Sequence, residues 1–208
     1  MLLKIVSTGI YYAAALAAAG ALMYWVAGPL FAVPLWLLAL FCLYFFRDPD
    51  REIPPGPVAV SPADGKVVAI KPEGPGLTRL TIFLSVFDVH VNRAPVAGRI
   101  QSVEYKYGRF LPANKEECSE QNEQNVVTVS GDGSTVVFKQ IAGLIARRMV
   151  FTKRVGDKVA IGERVGLIKF GSRTDVMFGP EWEIVAKVGE HVAGGSSVIA
   201  RRRDRDGA

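Results

Sequence analysis

Val155-Gly156-Asp157-Lys158-Val159-Ala160-Ile161-Gly162 returns 33 residues later as Val188-Gly189-Glu190-His191-Val192-Ala193-Gly194-Gly195. Both copies read Val-Gly-acid-x-Val-x-x-Gly. Glycine accepts the positive φ of a tight corner without the steric cost of a Cβ, while the valines are placed to point inward. A related phrase, Ala94-Pro95-Val96-Ala97-Gly98-Arg99-Ile100, comes earlier in the chain. Two copies are too few for a solenoid. They predict a quasi-symmetric β barrel.

Around these corners, short β-branched runs alternate with Gly, Asp and Asn turns. The runs cover 66–70, 78–84, 100–107, 125–129, 135–141, 158–159, 164–169, 174–177, 183–188 and 197–201. That spacing predicts an all-β barrel or sandwich. No long helical period follows Phe46. The repeated phrase is similar to the hammerhead turn of lipoyl-like folds. The expected fold class is therefore mainly β, a lipoyl-like barrel-sandwich in a soluble domain.

The N-terminal part is different in kind. From Met1 to Phe46 the one charged side chain is Lys4. Two apolar stretches, 8–26 and 30–46, flank Ala27-Gly28-Pro29, and Gly-Pro is a strong helix breaker. A bilayer core needs about 20 apolar residues per spanning helix, with ~17 as the lower limit. The reading is a transmembrane helical hairpin over 1–46, with Lys4 on one flank and Arg47 and Arg51 on the other. Positive flanks stay on the cytoplasmic side, so the expected location is the cell membrane with the soluble domain in the cytoplasm. A cleaved signal peptide fits less well, because the apolar region is long and doubled. Pro34 interrupts the second stretch and leaves a re-entrant hairpin as the variant reading. A Pro-rich connector, 47–60, then leads to the domain at 61–208.

Cys42 lies in the apolar segment and Cys118 in a polar loop, so they do not suggest a disulfide framework. The net charge is +5, with Arg201-Arg202-Arg203 and Arg205 near the C-terminus. Such a tail is a solvated end or a contact for anionic lipid headgroups. Nucleic acid is not an expected partner, since basic residues are not interleaved with aromatics in a recognition motif.

Histidine is scarce. His191 occupies a corner and is expected to be solvated. His90 lies in Phe83-Leu84-Ser85-Val86-Phe87-Asp88-Val89-His90-Val91-Asn92-Arg93. Strand alternation would put Asp88, His90 and Asn92 on one face. Ser61-Pro62-Ala63-Asp64-Gly65-Lys66-Val67 reads as a turn entering a strand. No His, Cys and carboxylate cluster has ligand spacing, so no metal is expected.

These motifs, followed by Asn122-Glu123-Gln124-Asn125, Gln140-Ile141-Ala142-Gly143, Arg147-Arg148 and Phe170-Gly171-Ser172, occur in an order that resembles the phosphatidylserine decarboxylases, in particular their short membrane-anchored class. The resemblance covers essentially the whole soluble domain. It implies a proenzyme that cuts itself at a Gly-Ser bond, leaving a covalent pyruvoyl group derived from the serine. It further implies decarboxylation of a serine phospholipid to its ethanolamine counterpart through a Schiff base with that group. Carried over by position, Ser172 is nucleophile and pyruvoyl precursor, His90 the base, and Asp64 the acid that orients it. Many longer members carry a second histidine where this chain has Arg93, so His90 is expected to serve both self-cleavage and protonation. Arg93 is left as a candidate contact for the substrate's phosphate or carboxylate. Gln124 stands where an arginine is usual.

Three Gly-Ser bonds compete: Gly133-Ser134, Gly171-Ser172 and Gly195-Ser196. Ser130-Gly131-Asp132-Gly133 between two β-branched runs is a hairpin turn. Gly195 belongs to the second corner. Gly171-Ser172 ends an apolar run and precedes another strand, where glycine permits the strained backbone that an acyl shift needs. The expected products are a large subunit, 1–171, and a small one, 172–208, held together by strand pairing. The partner is the phospholipid substrate in its membrane, and a homo-oligomer is compatible with the chain. The rival reading is a membrane-tethered lipoyl-like carrier or binding module using Lys169.

Overall fold

The computed structural model describes residues 4–144, 148–169 and 172–203. Arg147, Phe170, Gly171 and Arg205 lie outside the described residues. The chain divides into two units, one up to Asp50 and one from Arg51.

The first unit consists of β1 (Lys4–Ile5), α1 (Ser7–Ala27), α2 (Pro29–Phe45) and β2 (Arg47–Asp48). Gly28 separates the helices at φ 91°. Pro29 opens α2, where its missing N–H leaves no helical bond unmade. Pro34 removes a further donor, yet α2 runs through it. The helices meet through small residues. A Cβ on Gly20 would collide with the Trp36 ring, and one on Gly9 with Phe46. Trp36 Nε1 donates to the Ala17 carbonyl at 3.3 Å, and its ring stacks on Tyr24. β1 pairs antiparallel with β2, Ile5 opposite Arg47, and Lys4 binds Asp50 at 2.8 Å. The outer ends of the two helices are thereby tied together. By length and composition α1 is long and apolar enough to cross a membrane; α2, with 17 residues, is shorter.

The second unit is mainly β. Its elements are β3 (Val58–Val60), β4 (Gly65–Pro72), β5 (Thr78–Leu84), β6 (Val91–Arg93), β7 (Gly98–Lys106), α3 (Cys118–Gln121), β8 (Gln124–Gly131), β9 (Ser134–Ile141), β10 (Arg148–Phe151), β11 (Lys158–Val159), β12 (Arg164–Lys169), β13 (Ser172–Phe178), β14 (Trp182–Ile184), β15 (His191–Val192) and β16 (Val198–Arg202). A curled eight-stranded sheet has the order β11-β7-β8-β9-β13-β5-β4-β15, and two three-stranded sheets follow β10-β12-β6 and β14-β16-β3. Val67, Leu80, Ile82, Val127, Phe138 and Val176 belong to its apolar core. Each such side chain contributes roughly 1.5–3 kcal/mol when taken out of water.

The two repeated phrases occupy the two edges of the large sheet. Gly156 and Gly189 both have φ 94°, and Gly162 and Gly195 follow at 71° and 83°. The amide of Gly156 donates to the Ile100 carbonyl and that of Gly189 to Val67, each at 2.8 Å. Asp157 and Glu190 each accept the N–H three residues back, Arg154 at 2.8 Å and Lys187 at 2.9 Å. β11 and β15, the middle of each phrase, then pair with β7 and β4. The corners thus cover strand edges that would otherwise stay open.

The expected runs largely became strands, with three differences. The stretch 47–60 contributes β2 and β3, and β6, β10 and β15 form where no run was predicted. The last difference concerns Asp88 and His90, which both precede β6 and so share no strand face with Asn92. The Asp88 carboxylate accepts the Ser85 N–H and hydroxyl, both at 2.7 Å, and this local bonding turns the chain before β6 begins at Val91.

Candidate active site

Antiparallel registers bring the candidate residues to one end of the large sheet. β4 and β5 place Lys66 opposite Phe83, while β5 and β13 place Leu84 opposite Ser172. The start of β4, just after Asp64, therefore lies beside the end of β5, and the start of β13 lies on the other side. The chain leaving β5 turns through 85–88 and reaches His90. The backbone carbonyl of His90 accepts the N–H of Ile168 at 3.1 Å, near the end of β12 and four residues before Ser172. Asp64, His90 and Ser172 come from distant parts of the sequence, and the registers carry their chain segments to this end. Gly171 is outside the described residues.

Ser172 is wholly buried, and its hydroxyl finds no hydrogen-bond partner among the described residues. Thr174, two residues on and on the same strand face, has a buried hydroxyl in the same condition. Buried hydroxyls are ordinarily bonded, so an orphaned pair on one face calls for a reason. The other two serines differ. Ser134 Oγ donates to Glu181 at 2.6 Å and accepts from Trp182 Nε1 at 2.7 Å, and the turn before it has Asp132 at φ 49° and Gly133 at φ 73°. Ser196 is half-buried in the second corner, its amide donating to the Ala193 carbonyl at 3.2 Å.

His90 is buried, and its Nδ1 lies 2.9 Å from the Asp88 carbonyl oxygen. A carbonyl only accepts, so this contact places a hydrogen on Nδ1 and makes Nε2 the basic nitrogen of the neutral ring. Asp64 has other company. Its Oδ2 accepts from Arg51 at 2.7 Å and its Oδ1 from the Gly194 amide at 2.7 Å. Burial pushes the Asp64 carboxyl above the usual range, against the opposing pull of the Gly194 N–H and of Arg51, and the nearby Asp88 charge adds to the rise. The hydrogen bonds of Asp64 run to Arg51 and Gly194, and the Nδ1 bond of His90 runs to Asp88.

A file of buried amides lies alongside. Asn125 Nδ2 donates to Gln140 Oε1 at 2.9 Å, and Gln140 Nε2 donates to Asn92 Oδ1 at 2.8 Å. Gln140 stands opposite Thr174 in the register, which carries this file to the Ser172 strand. Gly166 faces Asn92 across β12 and β6. A Cβ there would run into the Val150 carbonyl and the Gln140 amide, so no other residue fits.

Arg93 is buried. Its guanidinium donates to the Gly162 carbonyl at 3.0 Å and its stem packs on Gly195, so it reaches both glycine corners. His191 is exposed in β15. Lys169 ends β12 opposite Arg148 rather than standing on a hairpin tip. Two exposed apolar side chains flank the Ser172 end: Phe87, 64% exposed, on the turn leaving β5, and Leu144, 55% exposed, on the segment leaving β9. Arg51 and the Asp88 carbonyl had no sequence signal, because each acts through a contact that local pattern does not encode.

Residues 38–200 match the family model described as phosphatidylserine decarboxylase. A phosphatidylserine decarboxylase proenzyme of Solibacter usitatus is 76% identical over 203 residues, covering 98% of this chain and 99% of its relative. Proenzymes of the same name from Syntrophus aciditrophicus and Cupriavidus pinatubonensis are 45% and 41% identical, covering 77% and 84% of this chain and 79% and 84% of their own lengths.

Proposed function

We propose a mechanism for this chain that starts from its identity: it belongs to the phosphatidylserine decarboxylase family and decarboxylates phosphatidylserine. Ser172 is the residue at which the proenzyme cuts itself. The observation that carries this assignment is the wholly buried Ser172 hydroxyl at the start of β13, unpartnered among the described residues, at the sheet end where the segments bearing Asp64 and His90 also arrive.

The Ser172 hydroxyl attacks the Gly171 carbonyl carbon, and the amide nitrogen leaves as an amine. An ester then joins Gly171 to the Ser172 side chain. Loss of the Ser172 α-proton expels the ester oxygen from Cβ, which leaves a carboxylate at the end of 1–171. Water replaces the nitrogen of the resulting enamine, ammonia departs, and a pyruvoyl group heads 172–208. His90 Nε2 takes the hydroxyl proton, because the Asp88 carbonyl holds the other nitrogen as N–H. Asp64 supports the imidazolium by its charge across the sheet end, with Arg51 and Gly194 fixing its orientation.

The site fits such a group, since Ser172 is enclosed, lacks competing bonds among the described residues, and follows a strand end. A pyruvoyl group there supplies a carbonyl for the substrate amine and an electron sink for the departure of CO2. His90, once charged, is the group that can return a proton. Arg93 keeps the glycine corners together, and we do not assign it to the substrate.

The pairing of β1 with β2 supports a hairpin whose two charged flanks lie on one side of the bilayer, the cytoplasmic side by the positive-inside rule. The glycine corners at both sheet edges support a lipoyl-like barrel-sandwich. Phe87 and Leu144 would face the lipid that delivers substrate. Self-cleavage of Ser134→Ala, Ser172→Ala and Ser196→Ala chains tests the assignment. Only Ser172→Ala should stay uncut and release no CO2; cutting in that variant would exclude it.

A further inference from the structure

The face of β13 opposite Ser172 carries a buried ion cluster that the cleavage chemistry does not use. Arg173 is 1% exposed and Asp175 is fully buried. Arg173 Nε donates to Asp175 Oδ1 at 3.0 Å, Nη2 to Thr81 Oγ1 at 3.1 Å, and Nη1 to the Lys115 carbonyl at 3.1 Å. Glu116 lies 3.5 Å from Nη2. Asp175 is saturated in turn: Thr81 and Arg173 share Oδ1, while Ser119 donates to Oδ2 and Arg79 lies 3.5 Å from it. Arg79 also pairs with Glu116.

Three separate parts of the chain meet in this cluster: β13, β5 and the crossover between β7 and β8. The crossover is itself pinned. Asn122 Nδ2 donates to the Leu111 and Ala142 carbonyls at 2.9 and 2.8 Å, and Asn122 Oδ1 accepts from the Leu111 amide at 2.9 Å. Burial tends to raise the Glu116 carboxyl, but Arg79 and Arg173 outweigh it and hold the group below the usual range.

The position of the cluster matters because of what cleavage does to β13. In the uncut chain the strand is tethered covalently to β12. After cutting, the residue derived from Ser172 is a chain end, and chain ends fray unless something holds them. Arg173 is the next residue. Lifting it would strand two opposite charges in a buried place, which is far more costly than breaking an exposed pair.

Resting on the assignment of cleavage at Ser172, we propose that Arg173, locked by Asp175, Thr81, Glu116 and the Lys115 carbonyl, is the positioning residue that clamps the new end of the small chain in catalytic register. The clamp is dispensable while the peptide bond is intact and needed once it is cut. Self-cleavage and decarboxylation should therefore respond differently to its loss.

The test uses the full chain with Arg173→Lys and Glu116→Gln. Lysine keeps the charge opposite Asp175 but cannot reproduce the guanidinium's fan of donors. Glu116 is partly exposed, so its replacement leaves the fold least disturbed. Cutting is timed on denaturing gels, and kcat and KM are measured on the fully cut fraction with short-chain, monodisperse phosphatidylserine. Both variants should cut within about twofold of the parent rate, since only the tethered strand is needed there. In Arg173→Lys kcat should fall by on the order of 10²-fold with KM nearly unchanged, the scale of loss for a small misplacement of a reacting group. Glu116→Gln should show a smaller fall in the same direction.

Cutting and kcat falling in proportion would mean a general structural role and overturn the clamp. So would an unchanged kcat in Arg173→Lys. A parent small chain that begins elsewhere than residue 172 would instead overturn the cleavage assignment beneath it.

Discussion

The Nδ1 of His90 sits 2.9 Å from the carbonyl oxygen of Asp88, the residue two before it in the chain. The tautomer of the candidate base is thus set by a backbone group in a tight turn, while the hydrogen bonds of the Asp64 carboxylate run to Arg51 and the Gly194 amide. His90→Ala should leave the proenzyme uncut or slow its cutting by about 10²–10⁴-fold, the usual loss for a general base. Asp88→Asn keeps the backbone carbonyl and should slow it far less. A time course on denaturing gels checks both; equal loss in the two variants would put the Asp88 carboxylate, not its carbonyl, in the mechanism.

The acid side of self-cleavage should report Asp64. Burial raises its carboxyl above the ordinary value of 3.8, so on acidification it takes up a proton earlier than an exposed aspartate would. Cleavage should fall as pH drops through that raised value. The stability term has a definite sign as well. A carboxyl raised on folding contributes most below its unfolded value, and that contribution disappears as pH rises through the folded one. In uncut Ser172→Ala chains, melting measured across this window should carry the component, and the additional change Asp64→Asn should remove it.

The two glycine corners should be equally intolerant of a side chain. Gly156 and Gly189 share φ 94°, and open space surrounds both, so the cost of alanine is backbone strain alone. Gly156→Ala and Gly189→Ala should each destabilise the protein by about 1–3 kcal/mol. Thermal melts of the two variants should match. A large difference between them would break the quasi-symmetry read from the repeat.

Phe87 and Leu144 offer a test of how substrate is reached. Phe87→Ser with Leu144→Ser should raise KM on phosphatidylserine vesicles and leave kcat/KM on short-chain monodisperse substrate near the parent value. Equal losses on both substrates would place these side chains in folding instead.

The corners were legible in the sequence because positive φ is a local demand, and glycine answers it within a few residues. Most strands were legible for a similar reason. The site was legible only in pieces. Asp88 looked like a strand residue, yet its side chain bonds back to Ser85 and bends the chain. Arg51 binds Asp64 from a Pro-rich stretch with no periodic pattern. Nothing in the local pattern marks Arg173 and Asp175 as a buried face of β13, since charged residues seldom lie buried. The structure instead places β13 between β5 and β9 and covers that face with the β7–β8 crossover. These are pairings across 50 to 100 residues of chain (roughly, Arg173 with Lys115 and Thr81), and alternation along one strand does not encode them.

Intact mass measurement of the purified protein under denaturing conditions tests the central claim most directly. The account predicts two chains, 1–171 and 172–208, with the smaller bearing a pyruvoyl group in place of its first serine. A single uncut chain in active protein, or one carrying a lipoyl or biotinyl group on Lys169, would contradict it.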